Sequence, residues 1–140
     1  MTEPILPEPG PHRWTLREHT EPLSIIKMEA GAPLHPWADG LPLTVVVWSA
    51  AETTVVCPTR CIPDELPGSV HGPFVAFSVE GARHYSLSGV LSELVRPLAE
   101  LQVSVLAYTT VDTNWILVPT QQIAAAKAGW ALAKHVVEEA

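Results

Sequence analysis

"GARHYSLSGVLSELVRPLAE", residues 81–100, runs from small and polar residues straight into an apolar stripe. Leu87, Val90, Leu91, Leu94, Val95, Leu98 and Leu101 recur at helical spacing, which predicts an amphipathic helix over 87–101. Pro97 lies inside it, has no N–H to give, and leaves the carbonyl of Glu93 without its helical donor. A bend or a loosened last turn is expected there. At the other end stand Ser86, Ser88 and Gly89. Such residues commonly cap a helix, a contribution of about 1 kcal/mol. They also leave backbone N–H groups at the positive end of the helix dipole, which suits a carboxylate, and they are small enough for a ligand to come close.

The elements around this helix follow from periodicity. FVAFSVE (74–80) reads as the strand before it, VSVLAYT (103–109) as the strand after it and NWILVP (114–119) as a third, with a tight turn at Val111–Asp112. A closing helix is expected from Gln121 to His135, with Ile123, Ala126, Trp130 and Ala133 or Val137 as its buried stripe. Gly129 should weaken it by about 1 kcal/mol relative to Ala. In the first half, WTLRE (14–18) and LSIIKME (23–29) read as strands joined by a turn at Thr20–Pro22. LTVVVW (43–48) and TTVVC (53–57) flank SAAE as a hairpin. Between those pairs, Pro33, Pro36 and Pro42 leave room for one helical turn at most. The second half therefore reads βαββα, and the first half reads as a β-rich version of the same pattern. The expected class is α+β, a mostly antiparallel sheet with helices on one face. Residues 1–13, with four prolines, read as a mobile tail, 14–66 as a degenerate N-terminal unit and 67–140 as the C-terminal unit.

Composition narrows the function. A chain of 140 residues with 47% apolar and 16% charged residues can bury a real core. The net charge of −7 and scattered basic residues argue against a nucleic-acid partner. No apolar run is long enough to span a bilayer and the N-terminus lacks a signal-peptide pattern, so a cytoplasmic protein with no membrane association is expected. Cys57 and Cys61, in CPTRC, have no second ligand pair at zinc spacing and read as buried free thiols, with no metal and no cofactor.

The string VEGARHYSLSGVLSELVRPLAELQVSVLAYTTVDTNWILV, residues 79–118, resembles the second ACT domain of small tandem-ACT proteins. These are bacterial stand-alone amino-acid-binding proteins and the cytosolic arginine sensor of animals, built on aspartate-kinase-like ACT units. Pro36–Trp37 and AETTVVCP extend the resemblance into the first half. It implies two ferredoxin-like ACT units side by side and a small molecule, usually an amino acid, at an interface between units. Carried over by position, it implies a ligand loop of Glu80, Gly81, Ser86, Leu87, Ser88 and Gly89, faced by Ser104, Thr109, Thr110, Asp112 and Asn114.

This chain departs from the family at His84–Tyr85 and Asn114–Trp115, where the family has Asp–Phe and Asp–Tyr. Two carboxylates are gone and rings have replaced them. An amino acid with a neutral or aromatic tail, pointing toward His84, Tyr85 and Trp115, is expected in preference to arginine. Asp112 is either a turn residue bonding its own backbone or the acceptor of a ligand ammonium. The leading reading is a regulatory or sensor protein that binds an amino acid or a derivative, acts as a homodimer with residues such as Trp48 covering edge strands, and signals to a partner protein or through a change in oligomeric state. One alternative is a small enzyme on the same scaffold, with His84, Tyr85 and Asp112 moving protons on an amino-acid-like substrate. The other is an interaction or scaffold protein without a ligand. No nucleophile elbow, phosphate loop or dinucleotide fingerprint is present.

Overall fold

The computed structural model describes residues 12–66, 68–81 and 87–140. Its strands are β1 (Thr15–Met28), β2 (Val45–Trp48), β3 (Thr53–Pro58), β4 (Ser69–Glu80), β5 (Leu106–Thr109), β6 (Thr113–Pro119) and β7 (Val136–Glu139). Its helices are α1 (Leu87–Glu100) and α2 (Ile123–Leu132). The class is α+β and ferredoxin-like, a mostly antiparallel sheet with two helices. The chain forms two compact units: Glu21–Val75, and the residues up to Thr20 together with Ala76–Ala140. The long strands β1 and β4 contribute to both.

In the unit Glu21–Val75 the strand order is β2-β3-β1-β4. Leu23–Met28 pair antiparallel with Thr53–Pro58, and β2 pairs antiparallel with β3. Loops and a 3-10 turn at Thr59–Cys61 cover this sheet where a helix would otherwise pack. They enclose Ile26, Met28, Ala32, Ala38, Val55 and Cys57, with Trp37, Ile62 and Leu66 against them. The three prolines of the 31–42 stretch explain the missing helix.

In the other unit the order is β1-β4-β6-β5, with β7 parallel to Thr15–Glu18 of β1. The core sits between sheet and helices: Phe77 of β4 meets Trp130 of α2 edge to face at 4.8 Å, among Leu94, Leu98, Ile116 and Ala126. The Trp130 indole N–H donates to the Leu94 carbonyl at 2.8 Å, which ties α2 to α1. Gly129 is the close-approach residue of this helix pair. A Cβ there would stand 3.2 Å from the Pro97 carbonyl oxygen and 3.0 Å from Leu101 Cδ1. Its cost in helix propensity is offset by packing.

Pro97 has the consequence its chemistry demands. The freed carbonyl of Glu93 accepts a bond of 3.3 Å from His135 Nε2. His135 Nδ1 in turn accepts the backbone N–H of Trp14 at 3.0 Å, so the buried imidazole spans the gap from α1 to the start of β1. The Glu93 carboxylate works from the same turn. It accepts the His12 backbone N–H at 3.2 Å, the His12 Nδ1–H at 2.9 Å and the Trp14 indole N–H at 2.8 Å. Burial pushes this carboxyl up, but the hydrogen bonds from His12 and Trp14 outweigh it and hold the group below the ordinary glutamate range.

Three expectations are corrected. Thr15–Met28 form one strand, where two around a turn were expected within 14–29. Thr20–Pro22 falls between the stretch paired with β7 and the stretch paired with β3, so the missing N–H of Pro22 costs no bond in either ladder. The strand after α1 starts at Leu106, three residues later than 103. The closing helix ends at Leu132, and β7 follows where the helix was expected to run on. The stop is a Schellman arrangement: His135 N–H donates to Trp130 O at 2.9 Å and Lys134 N–H to Ala131 O at 3.0 Å, with Lys134 left-handed at φ 70°. α1 ends the same way around Gln102, at φ 58°.

Two substitutions test this account in opposite directions. Lys134→Gly should raise stability by about 1 kcal/mol, because glycine holds the left-handed position without strain. Gly129→Ala should lower it by about 1 kcal/mol in spite of better helix propensity, because the new methyl meets a carbonyl oxygen. Chemical denaturation reads both. Glu93 generates a third expectation. Its folded carboxyl is more acidic than the unfolded one, so its contribution is full above the ordinary glutamate pKa and is lost as pH falls through the depressed folded value. Urea melts between about pH 6 and pH 3 should show a shallower acid loss in Glu93→Gln than in wild type.

Candidate functional site

β4 ends at Glu80, which is exposed, and Gly81 follows at φ 80°. A Cβ at Gly81 would meet nothing within 4 Å, so glycine serves the backbone turn there and not a close approach. α1 begins at Leu87. A strand–helix–strand passage returns the chain in its original sense, so β5 runs alongside β4 in direction. The turn between β5 and β6 therefore lies at the same end of the sheet as Glu80 and the start of α1.

That turn is locked by its own residues. Thr110 N–H donates to Thr113 O at 2.9 Å, and Thr113 N–H returns a bond to Thr110 Oγ1 at 3.0 Å. Asp112 is exposed within it. Thr109 and Asn114 stand opposite each other across the hairpin, and the Thr109 hydroxyl donates to Asn114 Oδ1 at 3.3 Å. Asn114 is buried.

Face is decided by parity along each strand. Phe77 points to α2, so Ser78 points to the opposite face. Ser78 Oγ is hydrogen-bonded to His19 Nε2 at 2.8 Å, and His19 packs on Trp115 with ring centroids 4.9 Å apart. Trp115 thus shares the face of Ser78, and its register partner Tyr108 stands beside it. Thr109 and Asn114, one residue along, share the helix face. Burial and Arg17 lower the His19 pKa, partly opposed by Glu80.

Of the residues singled out in sequence, the structure places Glu80, Gly81, Thr109, Thr110, Asp112 and Asn114 at one end of the sheet, beside the first turn of α1. Gly89 is exposed in that helix. His84, Tyr85 and Ser86 lie outside the described residues, as do the side chains of Leu87 and Ser88. Ser104 is not with the group. It precedes β5 at the far end, and its N–H donates to Gln122 Oε1 at 3.1 Å. Trp115 lies on the other face of the sheet from Asn114. The His19–Ser78–Trp115 cluster had no sequence signal, because its members come from three strands far apart in the chain. Cys57 is buried and its thiol is pushed up to about 11 by burial and by Cys61, which is half-buried.

Residues 69–128 match the family model of the ACT domain, so that stretch carries an ACT domain. No curated protein matches the chain. An X-ray structure of a protein from Agobacterium tumefaciens superposes with a TM-score of 0.84 at 20% identity, over 93% of this chain and 96% of that one. The aspartate kinase of Clostridium acetobutylicum, described as an allosteric enzyme, is similar with a TM-score of 0.60 at 11% identity over 84% of this chain. This chain spans 34% of that enzyme's length. The regulatory subunit of aspartate kinase from Thermus flavus gives a TM-score of 0.58 at 11% identity, over 84% of this chain and 95% of the subunit.

His19 supplies a pH dependence with a definite sign. Its folded pKa is below the unfolded one, so the neutral ring is favoured in the fold. The associated stability is full above the unfolded histidine value, about 6.5, and is lost as pH falls from there through the folded value. His19→Gln should flatten this part of the stability profile, and proton NMR should place the His19 titration below that of an unfolded histidine.

Proposed function

We propose that this protein is a small-molecule-binding regulatory protein, with an α-amino acid or a close derivative held where the end of β4, the start of α1 and the β5–β6 turn converge. The observation that carries the reading is this convergence within a stretch that carries an ACT domain. A ligand carboxylate at the first turn of α1 gains from unpaired N–H groups and the helix dipole, by about 1–2 kcal/mol where partly buried. A ligand ammonium finds acceptors in Asp112 and in the backbone of the turn. The loop residues His84, Tyr85 and Ser86, with Leu87, Ser88 and Gly89, complete the site in this reading, and the ring at 84–85 replaces family acid. A neutral or aromatic tail is therefore favoured over arginine. Regulatory domains of aspartate kinase share the fold, and an allosteric output is what that kinship suggests.

The chain acts on another protein or through its own assembly. A homodimer fits the exposed edge strand β2, whose Trp48 is 57% exposed and is held by an indole N–H bond to the Ala32 carbonyl. A fixed apolar ring at a sheet edge is suited to cover a second copy.

Calorimetric titration of ligand-free protein against the standard amino acids tests the reading. A neutral or aromatic amino acid should bind with one-to-one stoichiometry per site, and Asp112→Ala should weaken binding by about 2 kcal/mol. Binding of arginine or lysine alone would remove the argument from the replaced carboxylates. Binding by no amino acid would remove the proposal.

A further inference from the structure

A concavity of about 290 Å³ opens on the far half of α1. Its walls are Pro97 and Ala133 with the rings of His12 and His135, and Ser92, Glu93 and Arg96 supply its polar edge. Arg96 is nine residues beyond the start of α1, roughly 14 Å along the axis. The cleft is therefore separate from the site at the helix start and does not depend on it.

The charges in this cleft are unevenly used. Glu93 is already spent: one oxygen takes the His12 ring and the other takes two N–H groups, from His12 and Trp14. Its side chain is only 21% exposed. The His135 ring is also committed at both nitrogens. Arg96 is different. It is exposed, it lines the cleft, and it forms no hydrogen bond or ion pair with any described residue. A guanidinium beside apolar walls offers a flat, two-pronged donor to a carboxylate, with a dry surface for the rest of the molecule.

We propose that this cleft is a second binding site, for a small organic monocarboxylate with an apolar body, whose carboxylate pairs with Arg96 while its body lies on Pro97, Ala133 and the histidine rings. The fixed negative charge of Glu93 works against a doubly charged anion such as phosphate, and its spent oxygens leave little to attract a cation. One charge and an apolar body remain as the best complement.

Sodium benzoate is the probe, titrated into isotopically labelled full-length protein and followed by two-dimensional amide NMR. Saturable shifts should appear at Arg96, Ala133 and His135, with a Kd of about 0.1–5 mM, the range expected for so small a ligand. Arg96→Gln should weaken binding at least tenfold while leaving the melting temperature unchanged, and Arg96→Lys should weaken it less. Benzylamine and inorganic phosphate should produce no saturable shifts in this cleft. The proposal is overturned by absence of saturable shifts at about 20 mM benzoate, by shifts at Thr109–Asn114 instead, by equal binding of benzylamine or phosphate, or by unchanged affinity in Arg96→Gln. Shifts at Thr109–Asn114 would place the carboxylate at the start of α1 and leave that reading standing, and the other results do not bear on it, so the two readings fail separately.

Discussion

The Glu93 carbonyl, orphaned by Pro97, is the constraint around which the Ala76–Ala140 part of the chain is arranged. A helix carbonyl buried without a donor costs about 1–3 kcal/mol, so something must reach it. His135 does. To do so, α2 must stop early enough for residue 135 to turn back, which is why the chain takes a left-handed step at Lys134. With its Nε2 committed to Glu93, the imidazole offers Nδ1 as an acceptor, and the Trp14 N–H meets it at the start of β1. Val136 N–H then donates to Trp14 O at 2.9 Å and the parallel pairing of β7 with β1 begins. One missing N–H in a helix thus sets where the next helix ends, where a strand starts and what it pairs with.

Much of this was legible in the sequence, because periodicity is local. The α1 stripe, the βαββα order and the hairpin of β2 and β3 all rest on spacings within a few residues. The orphaned carbonyl was legible too, since it follows from proline chemistry alone. Its partner was not, because His135 lies 42 residues away. The end of α2 was missed for a related reason. Helices are expected to stop at glycine, and here Lys134 and Gln102 occupy the left-handed positions. The apolar pattern ran on through Ala133 and Val137 with nothing to mark the break. At Pro22 the error had the opposite sign: a strong turn signal stood in a part of β1 that lies outside its pairings with β7 and β3.

The candidate site shows the same division. Transferring family positions by sequence brought Glu80, Gly81, Thr109, Thr110, Asp112 and Asn114 to one end of the sheet. Chain direction alone explains that placement, because strand, helix and hairpin return to the same edge. Ser104 stands apart from them because it precedes β5 at the other end, where its N–H donates to Gln122. Trp115 is set apart by parity. It is next to Asn114 in the chain, and that is the very reason it faces the other way. Adjacent residues in a strand point to opposite faces, however close they stand in a motif.

Charge adds a further step. The chain carries a net −7, so an anion approaching it is repelled at long range and a zwitterion is not. An α-amino acid with a neutral tail meets no such barrier, and its carboxylate is drawn in only near the first turn of α1, where the positive end of the helix dipole acts. A monocarboxylate directed to Arg96 must cross the acidic field first. Added salt then has two opposed effects on it: screening of the distant repulsion favours binding, and screening of the contact with an exposed guanidinium disfavours it. Separations beyond a Debye length of about 8 Å are screened first, so the repulsion fades while the contact still holds. Affinity at Arg96 should accordingly depend weakly on ionic strength, and affinity for a neutral amino acid at the start of α1 more weakly still.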